Sequence, residues 1–153
     1  MTVYISGKIG EAHLSEATRQ KFAKAEAMLR RNGYGVFNPT DKSWTCYFER
    51  EQSSYEIILW HDLRKLMECD ACYMLEDWKS SPGATAEFYY AKATKKKMLF
   101  EKKSHAGVWL GDEYNELVRQ GRPPLQREEG EGDFDLQRRY IERHWNEVWL
   151  PIQ

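Results

Sequence analysis

The sequence predicts an α/β protein in which helices flank a parallel sheet of four to five strands. Short apolar runs, such as residues 3–5 and 71–75, alternate with longer segments whose apolar residues recur at helical spacing. The order begins as strand, helix, strand, which is how a parallel α/β sheet begins. The alternation therefore favours this fold class.

The first strand and helix have clear boundaries. Residues 3–5 form the strand, and Ser6-Gly7 begins the turn after it. Ser15 suits the N-cap of a helix that ends at Asn32-Gly33, a pair that tolerates the left-handed conformation. Residues 34–37 then form the second strand, which ends before Asn38-Pro39.

The next part of the chain repeats this alternation. Residues 40–53 are polar and aromatic without periodicity, and we expect a loop with one short helical turn. Ser53 or Ser54 caps a helix that ends near Cys69, and residues 71–75 form the third strand. A helix over residues 83–94 leads to a fourth strand at 98–100. This order is typical of a Rossmann-like or flavodoxin-like sheet.

The character of the chain changes after residue 101. We expect a helix within residues 106–120, an acidic connector at 128–133 and a final helix from Asp133. The last helix carries a wide stripe of large apolar residues: Phe134, Tyr140, Ile141, Trp145, Val148 and Trp149. Such a stripe either forms core or packs against a partner subunit. We predict a catalytic domain at residues 1–101 and a helical extension at 102–153.

Composition excludes several classes of protein. The formal net charge is −1, so no excess of positive charge points to nucleic acid or a membrane surface. No signal peptide and no run of about 20 apolar residues is visible, and we expect a cytoplasmic protein.

Cys69 and Cys72 have the CxxC spacing, but they lie at a predicted helix-to-strand junction, where two buried structural residues are expected. Cysteines and histidines are too few and too dispersed for a metal site.

Ligands of open parallel sheets bind beyond the carboxyl ends of the strands, and three polar segments follow strands here. A helix N-terminus at residues 83–84 presents amides that suit an anion, although the serines before it could also serve only as caps. Lys8 offers a positive charge, and Lys79 is the alternative. The candidate binding residues are Ser6, Gly7, Lys8, Ile9, Asn38, Trp78, Ser81, Gly83 and Ala84.

Two acids are the candidate catalytic groups. Glu87 lies one turn into the helix, on the same face as Gly83 and Ala91. The small size of these two residues leaves space for a ligand over the carboxylate or allows close packing against the sheet. Asp62 lies in the middle of a helix that carries core residues. Neither acid is diagnostic by itself, because an acid on a helix is more often a solvated surface residue.

The motifs together resemble those of the nucleoside 2-deoxyribosyltransferase-like superfamily, which includes small phage and bacterial members. They cover about residues 2–101 in order: Tyr4-Ile-Ser-Gly7, Ala25-Glu-Ala-Met-Leu29, Asn38-Pro39, Asp62-Leu63, Cys69-Asp70, and Ser81-Pro-Gly-Ala-Thr-Ala-Glu87 with Ala91. Each motif is short, and the specificity comes from their order and spacing.

The resemblance implies a catalytic set. Glu87 would be the nucleophile that attacks the anomeric carbon and displaces the base, supported by Tyr4 and Asp62. Tyr4 would orient Glu87, and Asp62 would contact the sugar or protonate the departing base, which requires a raised pKa. The resemblance implies no cofactor and no metal. It also implies a homodimer or larger homo-oligomer in which a neighbouring subunit helps to close the site.

Ser81 bears on the substrate. Transferases acting on free nucleosides resemble Asp-Asp-Gly here, with an aspartate six residues before the glutamate. Ser81 is instead similar to the 2′-deoxynucleoside 5′-monophosphate N-glycosidases, in which a serine at this place binds the phosphate. The first loop departs from them: Gly7-Lys-Ile-Gly10 lacks their arginine, and Lys8 is the candidate replacement.

We therefore expect an N-glycosidase that hydrolyses the base–sugar bond of (2′-deoxy)nucleoside 5′-monophosphates. One alternative is a nucleoside 2-deoxyribosyltransferase that exchanges bases between free deoxynucleosides. Another is a catalytically silent module that binds or senses nucleotides. Trp44, Tyr47, Trp78 and Tyr89 are aromatic residues that would be able to stack on a base.

Overall fold

A computed structural model describes residues 1–10 and 13–152. Residues 11 and 12 of the predicted catalytic domain and residue 153 of the predicted extension lie outside the described residues. The chain divides into two compact units, one formed by Met1–Leu99 with Ile152 and the other by Phe100–Pro151.

Four strands form a parallel sheet. Its strands are β1 (Thr2–Ser6), β2 (Gly35–Phe37), β3 (Ala71–Met74) and β4 (Lys97–Phe100), in the order β2-β1-β3-β4. Strand β1 pairs in parallel with β2, with Tyr4 opposite Phe37, and with β3, with Tyr4 opposite Cys72. The two inner strands β1 and β3 are buried almost throughout, as expected of a parallel sheet covered on both faces. The predicted Rossmann-like α/β fold is confirmed.

Six α-helices occur within the described residues: α1 (Glu16–Arg31), α2 (Lys42–Tyr47), α3 (Tyr55–Met67), α4 (Pro82–Ala93), α5 (Lys103–Arg119) and α6 (Asp133–Val148). Serine caps begin three of them. The hydroxyl oxygens of Ser15, Ser54 and Ser81 accept the backbone N–H three residues later, at 3.2, 3.3 and 3.1 Å. These caps satisfy N–H groups that the first helical turn leaves unpaired.

Residues 40–53 are more ordered than the sequence predicts. Helix α2 is followed by a 3-10 turn at Arg50–Gln52. Asp41 caps α2 by accepting the backbone N–H of Ser43 at 2.9 Å. A helix of six residues is too short to show a repeating apolar face, so periodicity could not reveal its extent.

In the second unit, α5 and α6 pack closely on each other. Gly107 and Gly111 of α5 face α6, and a Cβ at Gly107 would lie 3.0 Å from the Trp145 ring. The Tyr140 hydroxyl donates to Glu113 at 2.9 Å. The predicted aromatic stripe is therefore partly core, because Tyr140 is buried, whereas Phe134 is 82% exposed.

The cysteine pair is buried, as the sequence predicts. Burial raises the pKa of the Cys69 thiol to about 11 and that of Cys72 well above its usual range. The Cys69 thiol donates to the carbonyl of Lys65 at 3.3 Å, and both cysteines are free. Thiols held in this protonated form are unsuited to redox exchange.

Candidate active site

A cavity of about 310 Å³ opens in the first unit, beyond the carboxyl ends of the strands. Its walls come from β1 and the turn after it, from the turn after β2, from the 3-10 turn before α3, from α3, and from the first half of α4. The described residues that line it are Tyr4, Gly7, Ile9, Gly10, Pro39, Arg50, Ser53, Tyr55, Ile58, Leu59, Asp62, Ser81, Gly83, Ala84 and Glu87. The volume suits a small molecule.

Glu87 is held in the wall of this cavity by two hydroxyl groups of β1. Its side chain is buried, and the Tyr4 hydroxyl donates to Oε2 while the Ser6 hydroxyl donates to Oε1 at 2.8 Å. Residues two apart on a strand point to the same face, which is why Tyr4 and Ser6 reach one carboxylate. Both carboxylate oxygens are therefore oriented by a rigid central strand.

Asp62 is the second acid of the cavity. It lies on α3 and is 7% exposed, and the Trp44 indole Nε1–H donates to its Oδ1 at 3.1 Å. Trp44 belongs to α2, so a short helix in the segment for which the sequence predicts one helical turn orients one of the two candidate catalytic acids.

Burial perturbs both acids strongly. Desolvation, and next the charge of Asp62, raise the pKa of Glu87 to about 8, while hydrogen bonds from Tyr4 and Ser6 act in the opposite direction. Desolvation raises the pKa of Asp62 to about 6, against the Trp44 hydrogen bond and the positive charge of Arg50. Because ionising one acid makes the other harder to ionise, the pair holds about one proton near neutral pH. The cavity thus contains a carboxylate and a carboxylic acid together.

Tyr4 stays a neutral hydrogen-bond donor in this arrangement. Complete burial, and then the charges of Asp62 and Glu87, raise its pKa well above the usual value. Its ring stacks on Phe37 of β2, with ring centroids 5.5 Å apart. This packing fixes the direction in which the hydroxyl points.

Two glycines allow close approaches around the cavity. A Cβ at Gly7 would lie 2.5 Å from Cδ1 of Leu75, so the turn after β1 passes directly over the end of β3. A Cβ at Gly83 would lie 2.7 Å from the Tyr55 hydroxyl oxygen. Tyr55 is 57% exposed and also lines the cavity, which places it at the opening.

Most of the site residues predicted from the sequence come together here. The cavity lining includes the three catalytic candidates Tyr4, Asp62 and Glu87, and the binding candidates Gly7, Ile9, Ser81, Gly83 and Ala84. Ser6 contributes through its hydrogen bond to Glu87.

Three binding candidates lie elsewhere. Lys8 is exposed, and its backbone N–H donates to Asp77 at 2.9 Å. The Asn38 side chain accepts from the Thr40 backbone N–H at 2.9 Å and so shapes the turn after β2. Trp78 is buried and stacks on Phe88, with ring centroids 4.4 Å apart. None of the three is among the described residues that line the cavity.

Sequence reasoning missed several lining residues, above all Arg50, Ser53 and Tyr55. Arg50 and Ser53 come from an aperiodic segment, and Tyr55 is the first residue of α3, so no local pattern marks them. The four aromatic candidates for base stacking, including Trp44 and Trp78, are also absent from the described lining.

No helix in the described part of the chain is long and apolar enough to cross a membrane. Among those same residues, no cluster of three or more His, Cys, Asp or Glu side chains is placed to hold a metal ion.

No curated protein matches the chain. A family model described as "Domain of unknown function (DUF4406)" matches residues 1–100, the range that contains the cavity and both acids. The chain therefore belongs to the DUF4406 family.

Proposed function

We propose that the protein is an N-glycosidase that hydrolyses the base–sugar bond of (2′-deoxy)nucleoside 5′-monophosphates. The observation that carries this proposal is the environment of Glu87: a buried carboxylate, oriented by two hydroxyl donors, in a cavity that it shares with a second buried acid. A nucleophilic carboxylate paired with a proton donor is the arrangement that retaining glycoside hydrolysis requires. The resemblance of the motifs to the nucleoside 2-deoxyribosyltransferase-like superfamily points the same way.

In the first step, Glu87 as carboxylate attacks the anomeric carbon of the sugar. A carbon–oxygen bond forms while the carbon–nitrogen bond to the base breaks, and the electron pair of that bond leaves with the base. In the reactive form the single proton of the pair lies on Asp62, which protonates the departing base. Because the pKa of Glu87 is about 8 and that of Asp62 about 6, the proton must first move from Glu87 to Asp62. The raised pKa of Asp62 makes it a suitable acid near neutral pH.

In the second step, water attacks the anomeric carbon of the glycosyl-enzyme and releases Glu87. Asp62, now ionised, accepts the proton of that water, so the pair returns to its starting state. The products are a free base and a sugar 5-phosphate. Hydrogen bonds from Tyr4 and Ser6 stabilise the carboxylate that each cycle consumes and regenerates.

The test is to incubate the purified protein with a panel of nucleoside and 2′-deoxynucleoside 5′-monophosphates and to measure free base by chromatography. We expect release of base by the wild type, and a rate lower by at least 10³-fold for Glu87→Gln. Glu56→Gln, which removes an exposed carboxylate from α3, is the matched control and should behave as wild type. No release by the wild type, or equal release by Glu87→Gln, contradicts the proposal.

The same panel separates the two alternatives. A base-exchange enzyme produces a new nucleoside when a donor deoxynucleoside and an acceptor base are mixed, without a need for the 5′-phosphate. A silent binding module shows ligand-induced thermal stabilisation without any product.

A further inference from the structure

Arg50 is the one cationic side chain among the described residues that line the cavity. It is only 7% exposed, so its guanidinium lies in a largely desolvated environment, where a charge acts more strongly on its neighbours than it does in water. The cavity that contains both acids therefore also contains a buried positive charge. The sequence offered no reason to single this residue out.

The backbone around Arg50 is specifically arranged. Glu49, just before it, has φ 52° and ψ 58°, a left-handed conformation that non-glycine residues adopt at a cost. The Ser53 hydroxyl reaches back to the carbonyl oxygens of Phe48 and Glu49, at 3.0 and 3.1 Å. These contacts hold the turn on which Arg50 begins the 3-10 helix.

The charge of Arg50 acts inside the cavity, because it lowers the pKa of Asp62 against the effect of burial. A cavity containing Asp62 and Glu87 alone would repel a phosphate. A guanidinium counters that repulsion and can bind two phosphate oxygens at once. Lys8, the cation expected from the sequence for this task, is exposed and outside the described lining.

Ser81 supplies a second phosphate-compatible group. It is buried in the cavity wall, and its hydroxyl oxygen accepts the backbone N–H of Ala84 at 3.1 Å. A hydroxyl that accepts in this way still has its own proton to donate. It also stands at the beginning of α4, where the helix dipole favours negative charge.

We propose that Arg50 binds the 5′-phosphate of the substrate, beside Ser81, for which the resemblance already implies this role, and makes the site specific for nucleotides over nucleosides. This deepens the proposed function and rests on it for the identity of the ligand. Arg50, from the segment between α2 and α3, would thus take the place of the arginine that the monophosphate N-glycosidases carry in the loop after the first strand.

The experiment measures binding rather than turnover, in a Glu87→Gln background, by calorimetry with one nucleoside 5′-monophosphate and its parent nucleoside. We expect Glu87→Gln without further substitution, called the parent variant, to bind the monophosphate at least tenfold more tightly than the nucleoside. Adding Arg50→Gln should remove this preference and change nucleoside affinity less than twofold. Arg50→Lys should retain part of the preference, since lysine keeps the charge but loses the two-point contact.

Arg64→Gln is the matched control, because it removes an exposed arginine from α3, and Lys8→Gln tests the competing cation. Both should keep the full preference. The proposal is overturned if the parent variant shows no preference for the monophosphate, if Arg50→Gln retains it, or if Lys8→Gln abolishes it. It is also overturned if Arg50→Gln weakens both ligands equally, which indicates a structural role. If Arg50→Gln does not fold, the other two variants test the proposal. It is supported if Arg50→Lys reduces the preference for the monophosphate and Lys8→Gln does not, and it is overturned if Lys8→Gln abolishes the preference or Arg50→Lys leaves it complete.

The outcome is independent of catalysis. A protein that binds monophosphates through Arg50 but releases no base would overturn the proposed N-glycosidase and leave the phosphate site standing. A protein that releases base equally from nucleosides and monophosphates, with or without Arg50, would overturn the phosphate site and leave the N-glycosidase activity standing.

Discussion

Replacing Glu87 with glutamine should make the stability of the protein, relative to the wild type, increase as the pH rises. The reason is the cost of ionising a buried acid. The pKa of Glu87 is raised from 4.5 to about 8, chiefly by burial and next by the charge of Asp62. The folded state therefore keeps a proton that the unfolded chain loses.

The sign follows from this difference in proton binding. Because the folded-state pKa is raised, the stability linked to Glu87 is fully present below about pH 4.5 and is lost as the pH rises to about 8. At roughly 1.4 kcal/mol for each pH unit, this interval corresponds to about 5 kcal/mol as an upper bound. Coupling to Asp62 divides the effect between the two acids, so we expect about 2–4 kcal/mol.

The neutral amide does not titrate, but it offers an N–H₂ group to the Tyr4 or Ser6 hydroxyl, which costs about 1–3 kcal/mol at every pH. The informative quantity is therefore the change with pH of the difference in unfolding free energy between variant and wild type. Urea unfolding at pH 5, 7 and 8.5 measures it. Glu56→Gln is the control, and its unfolding free energy should differ from that of the wild type by the same amount at all three pH values. A difference for Glu87→Gln that stays within about 0.5 kcal/mol between pH 5 and pH 8.5 would refute the raised pKa.

Three further substitutions test the site. Asp62→Asn should lower the pKa of Glu87, because the charge of Asp62 raises it, and the acidic limb of the plot of kcat against pH should therefore move to lower pH. The maximal kcat should fall about 10²–10⁴-fold, because the proton donor is lost. Tyr4→Phe should move that limb to higher pH, because the lost hydrogen bond favours the Glu87 carboxylate. Gly7→Ala should cost about 1–3 kcal/mol in a urea unfolding experiment, because the new Cβ meets Leu75.

Much of the fold follows from local chemistry. Ser15, Ser54 and Ser81 each act as the helix cap that their side chains suit. The alternation of short apolar runs with helical segments was enough to predict a parallel sheet, because parallel strands need crossover connections.

The candidate acids could be found because they belong to motifs, but their partnership is tertiary. Tyr4 and Glu87 lie 83 positions apart, and only the pairing of the strands and the packing of α4 bring the hydroxyl to the carboxylate. Nothing in the local pattern of residues 40–53 shows that Trp44 reaches Asp62 or that Arg50 turns into the cavity. Those positions depend on two short helical turns and on the left-handed Glu49.

The central claim is that Glu87 attacks the sugar covalently, and the stereochemistry of the reaction tests it most directly. Methanol added to the reaction competes with water for the glycosyl-enzyme and gives a methyl glycoside whose anomeric configuration is stable to NMR analysis. Two successive displacements retain configuration, so a β-nucleotide should give the methyl β-glycoside. A methyl α-glycoside would show a single displacement by solvent and would contradict the assignment of Glu87 as nucleophile.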